Sequence, residues 1–323
     1  MSKRVWINQD PNREDIQRIS QKLNAAGFDS YVKNIRGNSR EHVSEAMNVD
    51  CVLASLEQWD KDALDTINGK VSLIVRKGVG YDSVDIDAAT ENGIAVMNLP
   101  GANATAVAEV AMMHILNCSR HFSWSMRQNY EDRPIESFKG HELDTATIGI
   151  LGFGNIGKEL ARMLSGFNSR ILVYDSFYTP APINNKMEIA SSMEELFRES
   201  DYVSIHIPCV AETENLIDER FFRIMKKTAY IINTSRGGVL NEADLISAVH
   251  NKDIAGAGLD VTKEEPLSLE SPLLKETNIW VTPHIAGNTV EAVEKQNDMA
   301  VQSIISFFNG EKPRNIINPE YCK

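Results

Sequence analysis

The sequence predicts an α/β fold of doubly wound parallel sheets, organised as two domains. Three observations carry that reading. Short apolar runs alternate with helical patterns along the chain, the rhythm of buried parallel strands joined by crossover helices. One junction between an apolar run and a helical pattern is glycine-rich, at Gly152, Gly154 and Gly157. The length of 323 residues exceeds what one hydrophobic core usually organises, about 250–300 residues.

The elements follow in chain order. Residues 5–7 read as a strand. Residues 14–26 read as a helix with Ile16, Ile19 and Leu23 on one face and Gly27 as its stop. Residues 52–54 and 73–75 are strands, with a helix over 61–67 between them. A glycine-rich loop, Gly78-Val79-Gly80-Tyr81-Asp82, comes next. Residues 87–92 form a short helix closed by Gly93, and 95–98 a strand ended by Pro100-Gly101. A long helix of small and apolar residues spans 104–120. The stretch 121–144 reads as irregular, and a stretch of that length is usually functional or packed on a partner. A second series begins at Thr147, with strands at 148–151, 171–174, 202–207, 230–233, 255–259 and 279–282. A last helix spans 290–308.

Lys and Arg total 33 against 45 Asp and Glu, a net charge of −12. That balance argues against nucleic acid or an anionic membrane as the main partner. Cys51, Cys118, Cys209 and Cys322 are far apart, with no C-x-x-C pair and no metal-ligand spacing with histidines. Reduced, mostly buried thiols and no metal are expected. No long apolar stretch suggests a signal peptide or a membrane span, so a cytoplasmic protein is expected.

Strand 148–151 runs into Gly152-Phe153-Gly154-Asn155-Ile156-Gly157, with a helix expected over 158–166. Between a strand and a helix, G-x-G-x-x-G points to a Rossmann dinucleotide site. Gly152 allows the tight turn, Gly154 the approach of a pyrophosphate, and Gly157 close helix–strand packing. The helix N-terminus offers free N–H groups to the phosphates. The next strand ends at Asp175, 175 − 157 = 18 residues later. A carboxylate there suits the ribose hydroxyls and repels a 2′-phosphate. Ser176-Phe177-Tyr178 add no cation, so NAD is expected rather than NADP.

Three later strands deliver an Arg, acids and a His to one sheet edge. Strand 230–233 ends in Thr234-Ser235-Arg236, strand 255–259 in Asp260 and then Glu264-Glu265-Pro266, and strand 279–282 in Pro283-His284. Ligands of open α/β sheets bind beyond the carboxyl ends of strands. An arginine fork can bind a carboxylate and a neighbouring oxygen together. His284 would protonate a carbonyl oxygen as hydride arrives, and an ionised Glu265 would orient its ring and favour its charged form. A lone Arg or His after a strand is unremarkable. The combination beside a dinucleotide loop suits hydride transfer at a 2-keto or 2-hydroxy acid.

These residues resemble the D-isomer-specific 2-hydroxyacid dehydrogenase family. The resemblance runs from about Val71 to Asn315, through residues 149–157, 206–208 with Thr213, 233–238, 258–266 and 282–287. It implies that Arg236, Glu265 and His284 are the catalytic set. It also implies cofactor contacts from Val107, Asn155, Ile156, Asp175, His206, Pro208, Thr213, Thr234, Ser235, Asp260 and Gly287, beside the three motif glycines and His284. Arg76, Val79 and Gly80 would meet the substrate together with Arg236. The implied layout is a Rossmann NAD domain, residues 101–287, inserted into a flavodoxin-like substrate domain of residues 1–100 and 288–323, its first and last segments sharing a sheet. The helix from Ala104 and the stretch after it match the family's dimer-forming region, so a homodimer is expected. Residues 76–82 and 265–268 look closest to the phosphoglycerate-dehydrogenase-like and corepressor-like branches. The chain ends at Lys323, without the C-terminal regulatory domain of longer phosphoglycerate dehydrogenases. Gly287 stands where the corepressors carry Trp. Glu265 rather than Gln before Pro266 argues against a formate dehydrogenase. The substrate stays open among D-lactate or another small apolar acid, glycerate or hydroxypyruvate, and 3-phosphoglycerate. A phosphorylated substrate would call for extra cations such as Arg76 and Lys77. The rival from another class is an NAD(H)-sensing binding protein with little turnover.

Overall fold

The computed structural model describes residues 2–35, 40–130 and 139–322. The chain divides into two compact units, Met1–Asn103 with Thr289–Lys323, and Ala104–Asn288.

The first unit begins with β1 (Arg4–Ile7), α1 (Glu14–Ala25), β2 (Asp29–Val32), α2 (Glu41–Ala46), β3 (Cys51–Ala54), α3 (Lys61–Thr66), β4 (Leu73–Arg76), α4 (Ile86–Glu91) and β5 (Ala95–Met97). Its five strands pair in parallel in the order β2-β1-β3-β4-β5, the flavodoxin-like order. Strand side chains alternate between faces, so each strand feeds two cores. Val5, Ile7, Leu53, Val75 and Met97 join Ile16, Ile19 and Leu23 of α1 on one face. Trp6, Val52, Ile74 and Val96 join Trp59 and Leu64 on the other. Gly27 ends the α1 segment at φ +91°, a left-handed conformation that costs glycine nothing.

The second unit runs α5 (Ala104–Arg120), α6 (Phe122–Tyr130), β6 (Thr147–Leu151), α7 (Asn155–Leu164), β7 (Arg170–Tyr174), β8 (Met187–Ile189), α8 (Met193–Glu199), β9 (Tyr202–Ile205), α9 (Glu219–Ile224), β10 (Tyr230–Asn233), α10 (Glu242–His250), β11 (Gly256–Leu259) and β12 (Ile279–Val281). The sheet order is β12-β11-β10-β9-β6-β7-β8, all parallel. Numbered from its own first strand this is 7-6-5-4-1-2-3, the Rossmann order with a seventh strand. α5 and α7 cover one face and α8, α9 and α10 the other. α11 (Val290–Phe308) then belongs to the first unit, where Ala300, Val301 and Ile304 pack into the core shared with α1.

Several expectations are corrected. The last segment adds no strand to the first sheet. It contributes α11 and one antiparallel bridge, Met97 to Ile316. Part of the stretch read as irregular is helical, since Phe122–Tyr130 forms α6; residues 131–138 of that stretch lie outside the described residues. The helix after the glycine motif starts at Asn155, inside the motif, with Gly154 as its N-cap. β2 and β8 are sheet-edge strands. Their sequences, Asp-Ser-Tyr-Val and Met-Glu-Ile, carry no continuous apolar run, and each leaves an acid exposed, unlike the edge strand β5, which is buried throughout and reads Ala-Val-Met.

Candidate active site

Because the second sheet is all parallel, the carboxyl ends of β6, β9, β10, β11 and β12 open on one edge. The glycine turn sits at the end of β6. Gly152 has φ +90°, and a Cβ there would lie 2.7 Å from the His206 carbonyl oxygen. A Cβ on Gly157 would lie 2.3 Å from the Gly152 carbonyl oxygen. Nothing lies within 4 Å of the corresponding point on Gly154. Two glycines are thus demanded by packing, and the third leaves the backbone bare where a phosphate would approach. Asp175 Oδ2 accepts from the Phe153 N–H at 2.8 Å and Oδ1 from the Phe177 N–H at 2.9 Å, which ties the acid to the turn. The Tyr178 hydroxyl donates to the Phe153 carbonyl, and Lys158 lies over the Tyr178 ring.

The loop after β9 is shaped by Thr213, whose hydroxyl donates to the Pro208 carbonyl at 2.7 Å and accepts from the Val210 N–H at 2.8 Å. His206 Nε2 meets the Ser204 hydroxyl at 2.9 Å, while its Nδ1 is buried without a partner. Burial holds the His206 imidazole down to about 3, so it is neutral near pH 7. Val107 is buried on α5.

After β10, Asn233 organises a tight turn. Its Oδ1 accepts from the Ser235 N–H and hydroxyl at 3.0 and 2.8 Å, and its Nδ2 donates to the Arg236 carbonyl at 2.9 Å. Arg236 Nη1 donates to the Ser235 carbonyl at 2.8 Å. The Thr234 hydroxyl is buried and unpartnered. Gly237 is obligatory, because a Cβ there would lie 2.0 Å from the Thr262 carbonyl carbon. That contact abuts the Arg236 turn against the loop that carries Glu265.

Glu265 Oε1 accepts from the Thr262 N–H at 3.1 Å, and Oε2 meets His284 Nδ1 at 2.6 Å. With Nδ1 given to the carboxylate, Nε2 is left for a reacting group. His284 sits at φ +51°, rare for a residue with a side chain. Its N–H donates to the Asp260 and Thr282 carbonyls at 2.9 and 3.0 Å. The Asp260 carboxylate accepts from the Ile285 and Ala286 N–H groups at 3.0 and 2.8 Å. Gly287 completes this turn, which is closed by the Asn288 N–H on the Ile285 carbonyl.

Arg76, Val79 and Gly80 belong to the first unit, at the carboxyl end of β4. Arg76 Nη1 donates to the Lys77 carbonyl at 2.6 Å, so its guanidinium folds over the loop. Asn98 Nδ2 donates to the Val79 carbonyl at 2.6 Å, and Gly78 accepts from the Leu99 N–H. Lys77 is half-buried near Arg13, Arg76 and Asp15, and its amine is held down to about 8 by burial and by the two guanidiniums.

The predicted residues of the second unit therefore converge on one sheet edge. Asn233 and Gly237 were not singled out for a role by sequence reasoning, although both lie within the Asn233 to Gly238 motif. The signal that assigns one, a buried Asn bonding three backbone or side-chain groups of its own turn, exists only in three dimensions. Among the described residues no group of three His, Cys, Asp or Glu is placed to hold a metal ion, and no helix is long and apolar enough to cross a membrane.

The chain is similar in sequence and fold to known proteins. Residues 112–286 match the family profile described as "D-isomer specific 2-hydroxyacid dehydrogenase, NAD binding domain". The chain is 38% identical over 283 residues to a glyoxylate reductase of Thermofilum pendens, covering 82% of this chain and 83% of that protein. It is 32% identical over 316 residues to a D-3-phosphoglycerate dehydrogenase of Methanocaldococcus jannaschii, covering 96% of this chain and 58% of that one. Among solved structures it resembles the NAD+-bound 3-phosphoglycerate dehydrogenase of Entamoeba histolytica, with a TM-score of 0.82 and 26% identity over 98% of this chain and 99% of that one.

Proposed function

Since the chain belongs to the D-isomer specific 2-hydroxyacid dehydrogenase family, we propose that it is an NAD-dependent oxidoreductase reducing a small 2-keto acid of the glyoxylate or hydroxypyruvate class. The observation that carries this reading is the 2.6 Å contact between His284 Nδ1 and Glu265 Oε2 at the sheet edge that also holds the glycine turn. Arg236 anchors the substrate carboxylate and polarises the carbonyl. His284 delivers a proton from Nε2 to the carbonyl oxygen during reduction and recovers it in oxidation. Glu265 fixes the ring and balances the imidazolium.

NAD fits the residues present. The bare backbone at Gly154, the α7 N-terminus, the carboxylate of Asp175 and the unpartnered Thr234 hydroxyl form a donor and acceptor set for a dinucleotide. Asn155, Ile156, His206, Pro208, Thr213, Ser235, Asp260 and Gly287 complete it in this reading. When bound, the nicotinamide supplies or accepts the hydride.

The working form in this proposal is a cytoplasmic homodimer. α5, α6 and the β12 region enclose an apolar groove of about 820 Å³ lined by Met112, Met113, Leu116, Phe122, Leu274 and Trp280. Phe122 is 61% exposed and Met113 47%, large apolar surface that a second copy would cover. None of the four cysteines forms a disulfide, as suits a reducing compartment.

NADH oxidation measured against glyoxylate, hydroxypyruvate, pyruvate, oxaloacetate and 3-phosphohydroxypyruvate tests the function. Turnover highest on glyoxylate or hydroxypyruvate is the expected result. Tight NADH binding with negligible turnover on every acid would sink the enzyme reading in favour of an NAD(H) sensor.

A further inference from the structure

Behind the His284 turn lies a largely buried polar chain of His114, Thr282 and Asp260, whose first member touches neither substrate nor cofactor in the proposed reading. His114, on α5, is 2% exposed. Its Nε2 lies 3.2 Å from the Thr282 hydroxyl. That hydroxyl lies 2.5 Å from Asp260 Oδ1 and 3.4 Å from the Leu259 carbonyl oxygen. Asp260 in turn receives the N–H groups of Ile285 and Ala286, the two residues after His284. The ring fits because β11 carries glycine opposite it: a Cβ on Gly258 would lie 2.8 Å from three atoms of His114.

Proton counting fixes the direction of this chain. A carboxylate only accepts, and a hydroxyl has one proton. The shorter contact places the Thr282 proton on Asp260, so Thr282 can only accept from His114. His114 must then donate from Nε2. Burial lowers the pKa of its imidazole, with Asp260 opposing more weakly, so the ring is neutral and carries one N–H.

From this geometry we infer that His114 is a positioning residue for His284, acting as the neutral Nε2–H tautomer. The inference rests on the proposed acid–base role of His284. By occupying an acceptor site on Thr282, His114 keeps the hydroxyl turned to Asp260 rather than to the Leu259 carbonyl. Asp260 then stays aligned on the Ile285 and Ala286 N–H groups. Those bonds hold the turn in which His284 adopts its left-handed backbone. A turn of that kind persists only where its surroundings over-determine it.

His114→Leu and His114→Gln separate this role from packing. Leu fills the space without a donor, whereas Gln places an amide N–H near the Nε2 position. We expect kcat in His114→Leu to fall by about three- to tenfold, the worth of roughly one neutral hydrogen bond. His114→Gln should restore most of the loss, and Gly258→Ala should reproduce it by displacing the ring. Two readouts do not depend on turnover. Nitrogen-15 spectra of histidine-labelled protein should show His114 as the Nε2–H tautomer. Hydrogen exchange at Ile285 and Ala286 should quicken in His114→Leu. An Nδ1–H tautomer, unchanged exchange, or a Leu variant within twofold of wild-type kcat overturns the inference. Absence of turnover in the wild type would instead defeat the functional reading, and the two spectroscopic readouts would still decide the role of His114.

Discussion

At the carboxyl edge of the seven-stranded sheet the charged groups are mostly acids, and backbone N–H groups hold them. Asp175 is bound by Phe153 and Phe177, Asp260 by Ile285 and Ala286, and Glu265 by Thr262. At the carboxyl edge of the five-stranded sheet the groups that stand out are cations: Arg76 folded over its own loop, and Lys77 half-buried near Arg13. In a chain of net charge −12, the first arrangement offers an anionic ligand bare backbone and a helix terminus, and the second offers side-chain charge. The contrast shows how an acidic protein binds anions with local devices while its overall field works the other way.

The largest test of the first edge is His284→Asn. We expect kcat to drop by about 10²–10⁴, the usual worth of a positioned acid–base group, with NADH affinity kept; a near-wild-type rate would remove His284 from the chemistry. Arg236→Ala comes next, with kcat/KM for the keto acid lowered by about 30-fold to several thousand-fold, as for loss of one member of a close charge pair. Calorimetric titration should find NADH binding nearly unchanged in that variant, and loss of NADH binding would refute the anchoring role. Asp175→Ala should reduce the preference for NADH over NADPH by about ten- to a hundredfold, the range for hydrogen bonds to a charged group. An unaltered ratio would take Asp175 out of cofactor choice.

The smallest effect sharpens the second edge. The Lys77 amine is lowered from 10.5 to about 8. Below pH 8 the folded and unfolded chains both carry its proton, and the folded state bears the full cost of the buried charge. Between about 8 and 10.5 the unfolded chain binds more protons, so stability rises with pH. Lys77→Met should therefore stabilise the protein at pH 7 by about 1 kcal/mol, a figure reduced for solvent screening. Urea denaturation should show the gain fading toward pH 10, and a gain independent of pH would contradict this origin.

Legibility differed between the edges for a physical reason. The glycine turn could be read because each glycine answers a local steric demand, and the demands recur at fixed spacing between one strand and one helix. Arg236, Glu265 and His284 could be read because each follows a recognisable apolar strand. β2 and β8 could not, since each carries an exposed acid that breaks any continuous apolar run. α6 was hidden by the mixed polar and aromatic residues of 122–130, which pattern weakly on a helix. Lys77 could be named as a cation, but its burial depends on α1 and β4 meeting across the fold.

By itself the sequence determined the α/β class, the strand-to-loop positions of Arg236, Glu265 and His284 and the acid that follows β7. These depend on periods of about two and 3.6 residues and on contacts close along the chain. Tertiary structure alone decided the abutment of Gly237 on Thr262 and the line from His114 through Thr282 to Asp260. The partners in that line are 168 and 22 residues apart. Distances along a chain impose no direction on a side chain, and only packing brings a helix histidine within reach of a hydroxyl on the far side of the sequence.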